Sequence, residues 1–211
     1  MNFKTYEEGT GEKALALAKI CQEVEKETEI KIFPVVQAAD IYRLASQGLT
    51  VWAQHIDDIN FGPNTGLILP QAIAGAGAKG TLLNHSENKL PVEVVGSIIE
   101  RTKGLGFLVC AESLDEAQRI AEFKPDLIAY EPPELIGGDI AVSSAKPEII
   151  SDFTREIKEI PVLVGAGIHG QEDVKKSLKL GAVGILVSSA VVLAKDQRKT
   201  LTDLAQGFKN V

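Results

Sequence analysis

Asp126-Leu127-Ile128-Ala129-Tyr130-Glu131-Pro132-Pro133 is the stretch whose reading decides the fold. The run at 126–130 has the length and apolar character of a strand buried in a sheet. Proline has no N–H to give to a ladder, so the strand stops at Glu131. The sequence therefore sets a carboxylate at the carboxyl end of a core strand, where α/β folds hold their chemistry. An acidic strand cap would explain Glu131 taken alone, and the other strand ends decide between the two. Beyond it, Glu134-Leu135-Ile136-Gly137-Gly138 has the composition of a loop with a stiff entry and a glycine exit, suited to hinged motion.

The same pattern repeats along the chain. Apolar runs at 30–34, 50–54, 79–83, 106–110, 161–165 and 183–187 read as further strands. Helical patterning covers 11–27, 38–47, 67–77, 91–103, 113–123, 147–158, 170–180 and 197–209. Ser113 ahead of Asp115-Glu116, Pro147 ahead of Glu148, and Gly170 ahead of Gln171-Glu172-Asp173 are helix starts. Gly48, Gly77, Gly104 and Gly181 fit helix ends that need positive φ. Strand and helix alternating this regularly imply right-handed βαβ units and a parallel sheet. No linker or composition break interrupts the pattern, so residues 1–211 read as one domain.

Seven strands and eight helices leave one strand short. Residues 1–4 supply the carboxyl end of an eighth, which makes the expected fold an α/β chain of the (β/α)8 barrel type. That first strand is truncated, because only Met1, Asn2 and Phe3 precede Lys4, whereas a strand needs about five residues. An open doubly wound sheet is the alternative. Its dinucleotide form carries GxGxxG after the first strand, where this chain has Tyr6-Glu7-Glu8-Gly9-Thr10-Gly11. Gly165-Ala166-Gly167-Ile168-His169-Gly170 fits the template but comes late, and glycines after a strand serve many phosphates.

Bulk composition narrows the function. With 22 basic and 29 acidic residues the net charge is −7, which argues against nucleic acid as a partner. No apolar run reaches the ~18 residues of a membrane span, and Met1-Asn2-Phe3-Lys4 does not open a signal peptide. Cys21 and Cys110 lie far apart with no metal-ligand spacing, so reduced thiols in a cytoplasmic protein are expected.

A barrel gathers its strand carboxyl ends on one face. Here these are Asn2 and Lys4, Asn84-His85-Ser86-Glu87, Glu131, Gly165-Ala166-Gly167, and Ser188-Ser189. The set holds a cation, an imidazole, a carboxylate and two turns of small residues ahead of helices. Such turns offer backbone N–H groups to an anion. A small phosphorylated substrate, one base and one electrophile are what this collection suits.

Five stretches, in order, carry a family resemblance: Asn2-Phe3-Lys4-Thr5-Tyr6, Ala53-Gln54-His55-Ile56-Asp57, Gly80-Thr81-Leu82-Leu83-Asn84-His85-Ser86-Glu87, Glu131-Pro132-Pro133-Glu134-Leu135-Ile136-Gly137, and Gly165-Ala166-Gly167-Ile168. They span nearly the whole chain, which resembles the triosephosphate isomerase family in its short archaeal form. The resemblance implies the TIM barrel and interconversion of dihydroxyacetone phosphate and glyceraldehyde 3-phosphate, a glycolytic and gluconeogenic step, without a cofactor. It implies that Glu131 is the base, that His85 is a neutral electrophile, and that Lys4 balances phosphate and enediolate charge. Asn2 would orient substrate oxygens, and Glu87 would pair with Lys4. Backbone N–H groups of Gly167, Ser188 and Ser189 would hold the phosphate, with Ile136 in a closing loop. The long polar loop at 56–65 implies a homodimer or homotetramer.

Two departures stand out. Ser188-Ser189-Ala190 replaces a glycine-containing turn, and Asn88-Lys89 stands where two basic residues are usual. A glycine with positive φ at position 190 would make Ala190 strained. The rival functions are another phosphate-binding (β/α)8 enzyme and a non-catalytic sugar-phosphate binder. The first would need a different charged set at the end of the run 30–34, 50–54 or 106–110, and Phe33-Pro34 and Cys110-Ala111 do not supply it.

Overall fold

The computed structural model describes residues 1–132, 147–165 and 167–209. Seven parallel strands follow in chain order: β1 (Val35–Val36), β2 (Trp52–Ala53), β3 (Gly80–Leu83), β4 (Gly106–Ala111), β5 (Leu127–Tyr130), β6 (Val162–Val164) and β7 (Gly184–Ile185). Helices separate them: α1 (Gly11–Thr28), α2 (Ala38–Ala45), α3 (Pro70–Gly75), α4 (Val92–Arg101), α5 (Leu114–Ala121), α6 (Pro147–Glu156), α7 (Gln171–Lys179), α8 (Ser189–Val192) and α9 (Gln197–Gln206).

Residues 1–3 close the ring. The Asn2 N–H donates to Val187 O at 2.8 Å, and Asn2 forms a parallel bridge with Val35. The Phe3 N–H donates to Val35 O at 2.9 Å, and the Val35 N–H to Met1 O at 2.8 Å. Three residues therefore bond to both edges of the seven-stranded sheet, as a shortened first strand of a (β/α)8 barrel should.

One strand sits later than the sequence suggests. The run at 30–34 was expected to pair, yet β1 begins at Val35. Pro34 has no N–H, so the ladder starts only after it, and Pro34 O accepts from the Trp52 N–H at 2.8 Å. The true strand end is therefore near Gln37 rather than Phe33-Pro34. Gln37 adds no chemistry there, since its side chain donates to Thr10 Oγ1 at 2.9 Å. Two short elements also escaped the pattern: a 3-10 turn at Glu7–Gly9 and the four-residue α8.

Side-chain alternation along the strands builds two apolar layers. Leu82, Leu108, Cys110, Ala129 and Leu186 point into the lumen with Val35 and Trp52. Leu83, Val109, Ile128 and Tyr130 point outward against the helices. The Trp52 indole fills the lumen so closely that a Cβ on Gly80 would lie 2.6 Å from it. Helix starts follow the expected caps. Ser113 Oγ accepts the Glu116 N–H at 3.2 Å, and Asp173 accepts the Gly170 N–H at 3.2 Å. The four helix-ending glycines all have positive φ.

At the amino-terminal end of the strands lies a cavity of about 350 Å³, walled by Met1, Ile30, Ile32, Trp52, Leu204 and Phe208 among others. The Met1 amine is buried beside it and donates to Phe33 O at 2.8 Å. Burial pulls that amine down to about 6.

Candidate active site

β3 delivers His85. It follows Asn84, whose φ of 56° turns the chain at the strand end. The imidazole is buried, and the Glu87 N–H donates to its Nδ1 at 3.1 Å. A backbone N–H only donates, so Nδ1 is the bare acceptor and the ring proton belongs on Nε2. That Nε2 lies 3.7 Å from Glu131 Oε1. An Nε2–H aimed at the mouth can donate a hydrogen bond to an oxygen placed there.

Glu131 ends β5 and is 5% exposed. Its N–H donates to Ala111 O at 2.9 Å, which continues the β4–β5 ladder one residue past the strand. Its Oε2 is buried with no hydrogen-bond partner, as are Ser86 Oγ and Ser188 Oγ. Buried polar atoms without partners are rare. All three of these belong to strand ends at one mouth, where a ligand would supply the missing bonds. Gly165, just after β6, makes room for the Glu131 side chain, because a Cβ there would sit 2.5 Å from Glu131 Cγ.

Lys4 is held from three sides. Its backbone is left-handed, with φ 48°, a costly conformation for a side chain of this size. Asn2 Oδ1 accepts its N–H at 3.0 Å, and Gln54 Nε2 donates to its carbonyl at 2.8 Å. Glu87 Oε1 takes its ammonium at 2.7 Å. The lysine side chain is 18% exposed, so the cation sits at the rim with its approach fixed. Asn2 is buried at 4% exposure and braces Lys4 through its backbone.

The two small-residue turns lie at the same end. Gly167 has φ 65°, which a side chain would strain. Ser188 precedes α8 and Ser189 begins it. Ala190 lies inside α8 and is not among the positive-φ residues, so the strain anticipated for it is absent. Ala166 and Ile136 lie outside the described residues, as does the loop expected to close over the mouth.

Other candidates resolve into supporting roles. Cys110 points into the lumen, and burial, then the Glu131 charge, push its thiol well above the usual range, so a reactive thiolate is ruled out at neutral pH. His55 Nε2 contacts Asp57 Oδ1 at 3.2 Å. Among the described residues no cluster of His, Cys, Asp and Glu has the form of a metal site. Sequence reasoning did not single out Ser86, Gln54 or Asn84. Ser86 and Asn84 flank His85, so their place beside a candidate site residue was the available signal. Gln54 lies in one of the stretches that carry the resemblance, but its contact with Lys4 comes from the fold.

Comparison with known proteins gives this geometry a family. The sequence profile described as triosephosphate isomerase matches residues 1–207. The chain is 42% identical over 211 residues to a triosephosphate isomerase of Methanothermus fervidus, covering 97% of this chain and 95% of that one. It is 44% identical to one of Methanobacterium bryantii, over 97% and 93% of the two chains. For one of Saccharolobus solfataricus the identity is 43%, over 96% and 92%. A solved triosephosphate isomerase from Bartonella henselae superposes with a TM-score of 0.76 at 19% identity, covering 99% of this chain and 97% of that one, which is a likeness of fold. The profile match over 207 of 211 residues, together with relatives above 40% identity, means that this chain belongs to the triosephosphate isomerase family.

Proposed function

We propose that this chain interconverts dihydroxyacetone phosphate and D-glyceraldehyde 3-phosphate, with Glu131 as base and His85 as electrophile. The observation that carries the assignment of roles is the facing of Glu131 Oε1 and His85 Nε2 at 3.7 Å, with the second carboxylate oxygen buried and unpartnered. Glu131 takes a proton from C1 of dihydroxyacetone phosphate. The C–H electron pair forms the C1–C2 double bond, and the carbonyl π pair moves onto O2. The Nε2–H of His85 stabilises that oxygen and then passes protons between O2 and O1. Glu131 returns its proton to C2, which leaves the aldehyde. The Lys4 ammonium offsets enediolate and phosphate charge. Asn2 keeps Lys4 in place, and N–H groups of Gly167, Ser188 and Ser189 receive the phosphate. No cofactor enters any step.

We further infer a cytoplasmic enzyme that acts as one barrel domain and associates as a homodimer or homotetramer. The loop after β2 supports association, since Phe61 and Leu67 are 77% and 51% exposed. No helix among the described residues is long and apolar enough to cross a membrane.

The test uses glyceraldehyde 3-phosphate in D2O, followed by proton NMR. Dihydroxyacetone phosphate should appear with deuterium at C1, and light scattering on the same sample should exceed the 22.6 kDa chain mass. Absence of conversion overturns the activity, and a monomer overturns the assembly.

A further inference from the structure

Asn84 is 1% exposed and stands directly before His85. Its side chain makes three hydrogen bonds, both N–H groups donating and the oxygen accepting once. Nδ2 donates to Cys110 O at 2.9 Å and to Glu116 Oε1 at 2.9 Å, while Oδ1 accepts the Leu90 N–H at 2.9 Å. A single amide therefore ties the end of β3 to β4, to α5 and to the residue that leads into α4.

The segment between its two anchors is the one that matters for chemistry. Residues 85–89 hang from the Asn84 backbone at one end and from the Leu90 N–H at the other. Inside, the Asn88 N–H donates to His85 O at 2.8 Å, which folds the segment into a turn. That turn presents the Glu87 N–H to His85 Nδ1, and this contact sets both the tilt and the tautomer of the ring. The same turn aims Glu87 at Lys4. Shifting the turn would move the imidazole and the ammonium partner together.

The outer anchor is itself fixed. Glu116 receives Lys89 Nζ at 2.5 Å and the Glu112 N–H at 2.8 Å. Burial pushes its carboxyl up, but Lys89, the Glu112 N–H and Asn84 outweigh this and hold it below the ordinary carboxylate range. It therefore stays an anionic acceptor for Asn84 at neutral pH.

We propose that Asn84 is a positioning residue. By clamping both ends of the 84–90 turn it keeps His85 in the Nε2–H form facing Glu131. The proposal rests on the isomerase reading for its kinetic consequence, but its spectroscopic consequence is independent of that reading.

Asn84→Gly tests it, because glycine keeps the left-handed backbone at no strain and deletes only the amide. In 15N-labelled protein the wild-type His85 ring should show a bare Nδ1 and a protonated Nε2. In Asn84→Gly the two nitrogens should average toward mixed tautomers. With substrate, kcat should fall at least ~10-fold while KM stays within about 2-fold, the signature of a contact that matters in the transition state. Should Asn84→Gly not fold, Glu116→Ala removes one of the three bonds and should show the same changes in smaller measure. An unchanged ring pattern in the folded variant overturns the proposal, whether or not the melting midpoint falls, because a purely structural staple would lower stability alone. If the wild type shows no isomerisation, the functional reading fails and the ring pattern still decides the role of Asn84.

Discussion

The two ends of the barrel have opposite chemistry on the same strands. At the carboxyl end, polar side chains are bonded to one another, and three buried polar atoms are left without partners. At the amino end the interior is a largely apolar cavity of about 350 Å³, with the buried Met1 amine beside it and the exposed Glu29 and Lys31 on its border. The strands differ in the same sense. The proposed pair, His85 and Glu131, follows β3 and β5, four residues each, which flank the six-residue β4. The cation follows the three-residue closing segment, which sits between the two-residue β1 and β7. The longer ladders carry His85 and Glu131 to the mouth, where the Glu87 N–H braces His85, and Lys4, after the short closing segment, is braced by Asn2, Gln54 and Glu87. The proposed site residues thus gather at the carboxyl end, while the amino end of the same strands is apolar.

The largest effect should come from removing the proposed base. Glu131→Gln keeps the shape but cannot accept the C1 proton, and kcat should fall by about 10³-fold. Its melting midpoint should hold or rise, since the carboxylate is buried and its Oε2 has no bond to lose. Steady-state kinetics beside calorimetry reads both. Retention of more than about a tenth of the activity would remove Glu131 from its role.

A matched pair of glycine substitutions sharpens the contrast between the ends. In Gly165→Ala the new methyl meets Glu131 Cγ at 2.5 Å, so the base must shift. A displacement near 1 Å costs on the order of 10²-fold in rate. In Gly184→Ala the methyl meets Leu163 Cδ2 at 2.7 Å, and Leu163 borders the cavity into which it can turn. That variant should keep kcat within about 2-fold and lose at most ~1–3 kcal/mol of stability. Equal kinetic losses from both would mean that the two ends are coupled, and the division drawn between them would fail.

Much of this was legible in the chain itself. Apolar runs and glycine punctuation place the strands because burial on both faces leaves no polar position to confuse the pattern. Glu131 could be located because Pro132 and Pro133 end its strand without ambiguity. The strand at 35–36 was misplaced because the stretch 30–36, Lys31 apart, is apolar, and only hydrogen bonding, interrupted at Pro34, selects which part pairs. The braces on Lys4 and His85 were not legible. Gln54 and Lys4 are 50 residues apart, and Asn84 and Glu116 are 32 apart. Such pairs exist only after the ring has closed. The alarm over Ala190 failed for a related reason, since a four-residue helix too short to show periodicity sets its backbone.

The smallest expected effect tests the amino end, through pH. With Met1 as first residue, the folded amine titrates near about 6, against an ordinary value of 8.0. Between those values the unfolded chain binds more protons than the folded one, so stability should climb as pH rises from about 6 to about 8 and then level off. The full difference is on the order of 2–3 kcal/mol, taking ~1.4 kcal/mol per pKa unit. Four apolar β-forming residues added before Met1 would turn the amine into an amide, which gives Phe33 O the same bond without a charge. They would also bring side chains into the cavity, each worth ~1.5–3 kcal/mol if fully buried, less the cost of ordering the added backbone. The extended chain should therefore melt higher than the original at pH 6, by several degrees at ~2–4 °C per kcal/mol. Near pH 8.5 the gain should shrink to the packing contribution, and kcat should not change at either pH. A pH slope that survives the extension would show that another group sets it. An unchanged midpoint at pH 6 would show that the cavity does not accept a strand.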